Sequence, residues 1–240
     1  MSSSHCLNCE NELKGNFCEN CGQRANTHRL SIVHFIAHDF LHGILHVDKG
    51  ILFTLRGMLL RPGFTAREYI EGKRIRHFNF LTLLVLLIGL DIGLGHLLDP
   101  HAEERAGMRN SRKLVKVIMD HPQQFILLLA PLFALATLLF FRRMKLNYTE
   151  HIIPALCLLI SFTIADIFCT ICDGLFHTDV FGLYVCFLMM MGYIFLVYYQ
   201  FTKDTYTPGG FLWRIISALL SFWLIVGIGG FALVEVAELL

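Results

Sequence analysis

Five long apolar stretches constrain this chain more than any other feature of its sequence. They occupy residues 80–98, 125–141, 152–172, 180–201 and 211–234. About 20 helical residues span the roughly 30 Å hydrocarbon core of a bilayer, and the stretches are close to that length. Since hydrocarbon satisfies no backbone polar group and no stretch alternates like a barrel strand, we expect transmembrane helices.

The amino-acid composition also indicates a membrane protein. With 55% hydrophobic and 16% charged residues, the chain is too apolar for an ordinary soluble domain. The sequence therefore predicts an all-α polytopic membrane protein with about five transmembrane helices. The opening residues, MSSSHC, lack the features of a cleavable signal peptide, so internal spans are expected to direct insertion. Pro122, Pro131 and Pro154 are expected to start or kink spans.

The distribution of lysine and arginine predicts the orientation. Of the 20 such residues, ten precede residue 80, three lie in residues 142–145 and two lie in residues 200–214. The other five lie in residues 99–121. Because positive residues concentrate in cytoplasmic loops, we expect a cytosolic amino terminus. Five spans would then leave the carboxyl terminus outside.

Two Cys-x-x-Cys pairs precede the spans, in the segment CLNCENELKGNFCENCGQR. Cys6 pairs with Cys9, and Cys18 pairs with Cys21. Each pair can present two thiolates to one tetrahedral ion, a spacing typical of structural zinc. Since so short a segment cannot bury a core, bound Zn²⁺ is expected to supply its folding energy. Four thiolates leave no open coordination position, so the predicted site is structural rather than catalytic.

Disulfides are the alternative interpretation of these four cysteines. Disulfides persist in oxidising compartments, whereas the charge distribution places this segment in the cytosol, so zinc is favoured. The remaining cysteines fall inside predicted spans and are interpreted as packing residues. They are Cys157, Cys169, Cys172 and Cys186.

An amphipathic segment, residues 30–48, follows the predicted zinc ribbon of residues 1–27. Its apolar residues recur near helical spacing, but polar side chains interrupt them, so we expect a helix lying in the membrane interface. The histidines of this segment recur every four residues, at His34, His38, His42 and His46. They could chelate a metal together with Asp39. The simpler interpretation is that these imidazole rings are hydrated at the edge of the helix, because a metal site would need three converging ligands.

A basic segment lies between residues 56 and 76, ahead of the first span. Thr65 with Glu68 three residues later predicts a capping box that starts a helix. The simpler interpretation of these lysines and arginines is general attraction to anionic lipid headgroups. The more specific alternative is a phosphate-binding site around Gly72. The candidate phosphate or headgroup ligands are Arg61, Arg67, Lys73, Arg74 and Arg76.

Several of these segments resemble one family. The motifs CENCGQR, HDF, VDKGILFTL, LLRPG, REYIEGKR, APLFALATLLFFRR and YTEH, in this order, are similar to bacterial membrane proteins grouped as domain of unknown function 3667. The resemblance implies a multi-span protein of the bacterial cytoplasmic membrane with a cytosolic zinc ribbon, and no established activity. The family often carries histidines where this chain has Cys157 and Leu159. That departure argues against a catalytic role for the start of the third span.

Two aspartates lie inside predicted spans. Asp91 lies in the first span and Asp166 in the third. If either side chain faced lipid, it would raise the free energy of membrane insertion by roughly 2.5 to 3.5 kcal/mol, so we expect both to face protein or water. One hypothesis is an outer, water-filled pocket that binds a metal or relays protons. The simpler alternative is a protonated, hydrogen-bonded pair that joins two helices.

Three functions remain open from the sequence. No Walker loop, nucleophile elbow, zinc-protease helix or dinucleotide fingerprint is present. The first hypothesis is a non-enzymatic membrane module whose ribbon binds a partner or senses metal or redox state. The second is a membrane-embedded enzyme acting on a phosphorylated lipid, with Asp39 or Asp48 supplying the carboxylate. The third is an ion or proton channel or transporter using Asp91 and Asp166, which the lack of an internal repeat weakens.

The predicted organisation has three parts. A zinc ribbon occupies residues 1–27, an interfacial and basic region occupies residues 28–79, and a helical membrane domain occupies residues 80–240. The expected partners are anionic lipid headgroups, a cytosolic protein bound by the ribbon and a second copy of the chain. Nucleic acid is not expected, because the basic residues lie beside the bilayer, where lipid competes.

Overall fold

A computed structural model describes residues 5–25, 27, 29–32, 35, 50–98, 122–176 and 181–239, with side chains given for 129–172 and 190–229 of the last two ranges. Within these ranges the chain is helical and has no β-strand. The α-helices are Gly50–Leu60 (α1), Pro62–Ile70 (α2), Phe80–Leu98 (α3), Pro122–Phe140 (α4), Tyr148–Phe176 (α5), Phe181–Thr202 (α6) and Pro208–Leu239 (α7). A 3₁₀ turn at Arg142–Met144 joins α4 to α5.

Helices form at all five stretches predicted to cross the membrane. Three segments are long and apolar enough to cross it by length and composition, namely Phe80–Leu98, Tyr148–Cys172 and Pro208–Gly229. The stretches at α4 and α6 are also helical, but the described side chains cover only part of each helix. Membrane association is therefore supported by three candidate spans, and the count of five stays a prediction.

Helix α5 lies at the centre of the bundle. It packs against α3, α4, α6 and α2, and side chains such as Ile153 and Ile160 are fully buried along it. Helices α3 and α7 instead leave large apolar side chains exposed, among them Leu90 and Leu220. Exposed apolar faces of this size on long helices are what hydrocarbon would cover. Pro131 and Pro154 lie inside α4 and α5 without ending them.

The start of α2 corrects one sequence prediction. The helix begins at Pro62, Arg61 is its N-cap, and no side chain caps it. The fixed φ of proline is already helical at the first position, so the helix starts before Thr65. The Thr65 hydroxyl donates to the Arg61 carbonyl at 3.0 Å from inside the helix. The predicted capping box of Thr65 and Glu68 is therefore wrong.

A close contact between α2 and α6 explains the glycine in LLRPG. A Cβ at Gly63 would overlap the Val197 carbonyl oxygen and lie 2.6 Å from the Gln200 Cβ. The Gln200 side-chain oxygen also accepts a hydrogen bond from the Gly63 backbone N–H at 3.1 Å. The two helices thus meet backbone to backbone, which only glycine permits.

The loops predicted to be cytosolic meet at one end of the bundle. Arg29, just after the ribbon, binds Glu150 at the start of α5. Arg67 of α2 binds Asp204 in the α6–α7 turn and the Phe201 carbonyl near the end of α6. The ribbon, the basic segment and both basic turns therefore lie at one end of the bundle, and the cytosolic location of that end stays a prediction. Of the predicted interfacial helix, residues 36–48 lie outside the described residues, and its placement in the interface stays a prediction.

Candidate metal centre and the cavity beside it

The two Cys-x-x-Cys pairs fold into matching knuckles. In the first, the Cys6 N–H donates to the Asn11 carbonyl at 2.8 Å and the Glu10 N–H donates to the Cys6 carbonyl at 2.9 Å. In the second, Cys18 makes the equivalent bonds with Gln23 and Gly22, both at 2.8 Å. Isolated β-bridges, His5 with Glu12 and Phe17 with Arg24, flank the knuckles. Each knuckle therefore turns its two sulfurs to the same side.

The four thiols converge on one point. All four sulfur atoms lie within 4.8 Å of one another, and the Cys6–Cys21 and Cys9–Cys18 separations are 3.6 Å and 3.5 Å. Tetrahedral Zn–S bonds of about 2.3 Å would hold sulfurs about 3.8 Å apart, whereas a disulfide would bring a pair to about 2.05 Å. All four are free thiols. The cluster fits one tetrahedral metal ion, whose identity as zinc stays a prediction.

The thiols differ in acidity. Burial raises the pKa of the Cys6 thiol to about 11. A hydrogen bond from the Asn11 backbone N–H lowers the pKa of Cys9 to about 6. Because a thiol must lose its proton to bind a metal, metal binding by this cluster would release protons.

The ribbon is docked on the turn that follows α2. The buried Gln23 side-chain oxygen accepts hydrogen bonds from the backbone N–H groups of Arg74 and Ile75, at 3.2 Å and 3.3 Å. Gly72 has a φ of +100°, and a Cβ there would lie 2.7 Å from the Leu7 Cδ1. Both knuckles therefore contact this turn, Leu7 from the first and Gln23 from the second.

A cavity of about 390 Å³ lies between the first knuckle and the basic segment. Residues 7–10 form one wall. The other wall comes from Phe53, Arg61, Glu68, Lys73, Arg76 and His77. The His77 ring is buried among Phe53, Tyr69 and Phe80. Burial lowers the pKa of His77, which the nearby Glu68 partly opposes.

The comparisons with known proteins concern this same region. Residues 48–90 match a family model described as a protein of unknown function (DUF3667). No curated protein and no solved structure matches the chain. The matched segment contains LLRPG and REYIEGKR, so the resemblance drawn from the sequence is confirmed there. The motifs before residue 48 and after residue 90 lie outside the match.

The five basic candidates divide into two groups. Arg61, Lys73 and Arg76 line the cavity. Arg67 instead binds Asp204, and the Arg74 guanidinium lies over the Tyr69 ring, 5.7 Å from its centroid. The observed cavity lies between the basic segment and the ribbon, and Arg74 does not line it.

The two aspartates inside predicted spans, Asp91 and Asp166, lie on α3 and α5. Asp91 is buried on α3 and accepts a hydrogen bond from the Thr170 hydroxyl of α5 at 3.4 Å, whereas Asp166 is exposed. Among the described residues, the cysteine cluster is the one group of three or more side chains placed to hold a metal. Asp39, Asp48 and the histidine row at residues 34–46 lie outside the described residues. Roles for these groups in catalysis, metal binding or proton transfer stay predictions.

Three contacts were missed from the sequence or assigned otherwise. Cys169 is disulfide-bonded, so its interpretation as a packing residue is wrong. The Asn147 side chain caps α5 by accepting from the Glu150 N–H, and the Glu150 carboxylate accepts from the Asn147 N–H, each at 2.8 Å. The sequence alone could have predicted this capping box, since Asn-x-x-Glu precedes an apolar run. No sequence pattern predicted the docking of Gln23, because its partners are backbone groups.

Proposed function

We propose that this protein is an integral membrane protein of the bacterial cytoplasmic membrane with a cytosolic structural zinc ribbon, and that it acts as a partner-binding or sensing module. The observation that carries the proposal is the convergence of four free thiols on a ribbon docked to the juxtamembrane turn. A closed four-thiolate site favours a structural ion over a catalytic one. The metal state of the ribbon would then be transmitted to residues 72–75 beside the first span.

The proposed polarity has two kinds of support. The ribbon shares one end of the bundle with the basic α4–α5 and α6–α7 turns, and positive residues favour the cytosolic side. Cys169 is disulfide-bonded and lies about 31 Å along α5 from Tyr148, at 1.5 Å per residue. Disulfides persist in oxidising compartments, which favours the outer side for this end of α5. With the five predicted spans, this polarity would place the carboxyl terminus on the outer side.

Metal analysis of the purified protein in lipid nanodiscs tests the zinc site. We expect one zinc per chain in the wild type and a large loss of zinc in Cys6→Ser and in Cys21→Ser. Cys172→Ser is the matched control, because Cys172 is a free thiol outside the cluster. Equal zinc content in all three variants would contradict the proposal.

Limited trypsin digestion tests whether the ribbon reports its metal state to the membrane domain. Removal of zinc by a chelator should speed cleavage after Lys73 and Arg74, because the ribbon would leave that turn. Gln23→Leu should speed the same cleavage while zinc is retained, whereas the exposed-site control Glu19→Gln should not. Unchanged cleavage in chelated protein and in Gln23→Leu would show that the docked ribbon does not govern this turn.

Protease accessibility in sealed vesicles tests the polarity. An amino-terminal tag should be protected in intact cells and digested in inverted membranes. The opposite result would place the ribbon outside and remove the cytosolic role.

A further inference from the structure

The cavity beside the ribbon carries cations that its own carboxylates do not fully balance. Its walls hold Arg61, Lys73 and Arg76 against Glu10 and Glu68. Glu68 lies 3.4 Å from Arg61 and 3.5 Å from the His77 ring, and Lys73 lies 3.8 Å from Glu71, which is outside the lining. Within the described part of the chain, the guanidinium of Arg76 makes no hydrogen bond or ion pair. The wall therefore offers positive charge to an anion.

Polar groups without partners lie on the same walls. Among the described residues, the Nδ1 atom of His77 and both side-chain polar atoms of Asn8 are buried without a hydrogen bond. His77 is 8% exposed, so the ring is more than nine-tenths buried. A buried polar group without a partner is destabilising, and such groups point to a missing ion, water or ligand. Asn8 and His77, which carry these atoms, line the cavity together with Arg76.

The dimensions indicate more than a bare anion. A volume of about 390 Å³ is within the range of sites for small organic ligands, roughly 300 to 1,000 Å³. Leu7 and Phe53 add apolar surface to the lining. The ligand that fits best thus combines an anionic group with a small organic part.

We propose that this cavity binds a phosphate ester, with Arg61, Lys73 and Arg76 around the phosphate oxygens. Guanidinium groups match two phosphate oxygens at once, and the lysine ammonium adds a point charge. The phosphate group comes either from a lipid headgroup or from a soluble ester, and both present the same chemistry to these side chains.

The ribbon makes this binding depend on the metal. Residues 7–10 form one wall, and they include Cys9 of the four-thiol cluster. Because the knuckle folds around its ion, the wall exists only while the ion is bound. The inference therefore rests on the proposed zinc ribbon, and it extends that function from a metal site to a metal-dependent ligand site.

Binding to the full-length protein in phosphatidylcholine nanodiscs tests the inference. Glycerol 3-phosphate is titrated by calorimetry, and phosphatidic acid added to the nanodiscs is measured by native mass spectrometry. Binding of phosphatidic acid alone identifies a lipid headgroup as the source, and binding of glycerol 3-phosphate identifies a soluble ester. Binding of neither overturns the proposal.

Variants that each remove one positive charge distinguish binding in this cavity from general electrostatic attraction to the basic surface. Lys73→Gln and Arg76→Gln should each weaken binding about tenfold, as expected for loss of a charged hydrogen bond. Lys14→Gln and Arg56→Gln remove the same charge from exposed residues outside the cavity and should change binding less than about twofold. Equal weakening in all four variants would show diffuse attraction to the basic surface and would overturn the site.

Chelated protein separates this inference from the proposed function. With one zinc per chain in the untreated sample, chelation should weaken binding at least tenfold. If zinc is present but no phosphate ester binds, the proposed ligand site is refuted and the proposed zinc ribbon is not. If no zinc is found, the proposed function fails, and intact phosphate binding in that sample also overturns the metal-dependent wall.

Discussion

Arg29 and Glu150 form a two-point ion pair across 121 residues of sequence. The Nε and Nη2 atoms of Arg29 donate to Oε1 and Oε2 of Glu150, each at 2.7 Å. A second Nη2 bond reaches the Lys145 carbonyl at 2.8 Å. Glu150 is buried at the start of α5, and its carboxylate raises the pKa of Arg29. The pair fastens the segment after the ribbon to the central helix of the bundle.

Removal of Arg29 should loosen this attachment. In Arg29→Ala the buried Glu150 carboxylate keeps, among the described residues, its bond from the Asn147 N–H. We therefore expect a loss of about 1 kcal/mol in the free energy of unfolding, reduced by the exposure of the guanidinium. Thermal unfolding in nanodiscs measures the loss. Arg143→Ala is the control, because Arg143 is exposed and its backbone bond to the Tyr206 hydroxyl survives the change. Equal effects of the two variants would contradict the role of Arg29.

A methyl group at Gly63 should separate α2 from α6. In Gly63→Ala the new Cβ meets the backbone of α6, which cannot rotate away, so we expect a loss of about 3 kcal/mol or failure to fold. The chain supplies a matched control in Pro208–Gly209, the same dipeptide at the start of α7, where a Cβ at Gly209 meets nothing within 4 Å. Gly209→Ala should change the melting temperature little. Comparable melting temperatures for the two alanine variants would rule out the close approach.

The knuckles predict a stabilising change at Glu10. Glu10 and Gly22 occupy equivalent positions, with φ values of 61° and 76°, and the first is strained because it carries a Cβ. Glu10→Gly relieves that strain but increases the entropy of the unfolded chain, so the net gain should be about 0.5 to 1 kcal/mol. It should appear as zinc binding about threefold tighter in chelator competition. Gly22→Ala should weaken zinc binding, and an opposite sign for either variant would refute the strain.

Stability should fall in mild acid because of His77. Burial holds its folded-state pKa below the usual value of about 6.5, so the unfolded chain binds more protons. The stabilisation is thus complete above about pH 6.5 and is lost as the pH falls below it. The charged groups that act on this ring are Glu68, Arg61 and Arg76.

Comparison with His77→Phe isolates this effect. Phenylalanine keeps an aromatic ring against Phe53 and Phe80 but does not titrate. The melting temperature of His77→Phe should therefore fall less than that of the wild type between pH 7 and pH 5.5. Zinc content is measured at each pH, since protonation of the cysteines also releases metal. Parallel pH profiles at equal zinc content would exclude His77 as the acid-sensitive group.

The sequence by itself determined the membrane-length helices and the four-cysteine cluster. An apolar run of about 20 residues has no alternative to a helix in hydrocarbon, and Phe80–Leu98 was predicted with its observed bounds. The cysteine spacing fixed the four thiols in the same way, because a knuckle is a local structure within a few residues of chain. Both inferences needed only neighbours in sequence.

Only the tertiary structure decided which polar residues meet. Of five similar cations, three line the cavity, while Arg67 is bound by Asp204 and Arg74 lies over Tyr69. The Gln23 and Gly63 contacts depend equally on segments far away in sequence. Spacing along one helix orders side chains around its own axis, but it cannot specify which distant turn or helix packs against them. That choice is made when α2, α5, α6 and the ribbon pack together, and the cavity is a product of that packing.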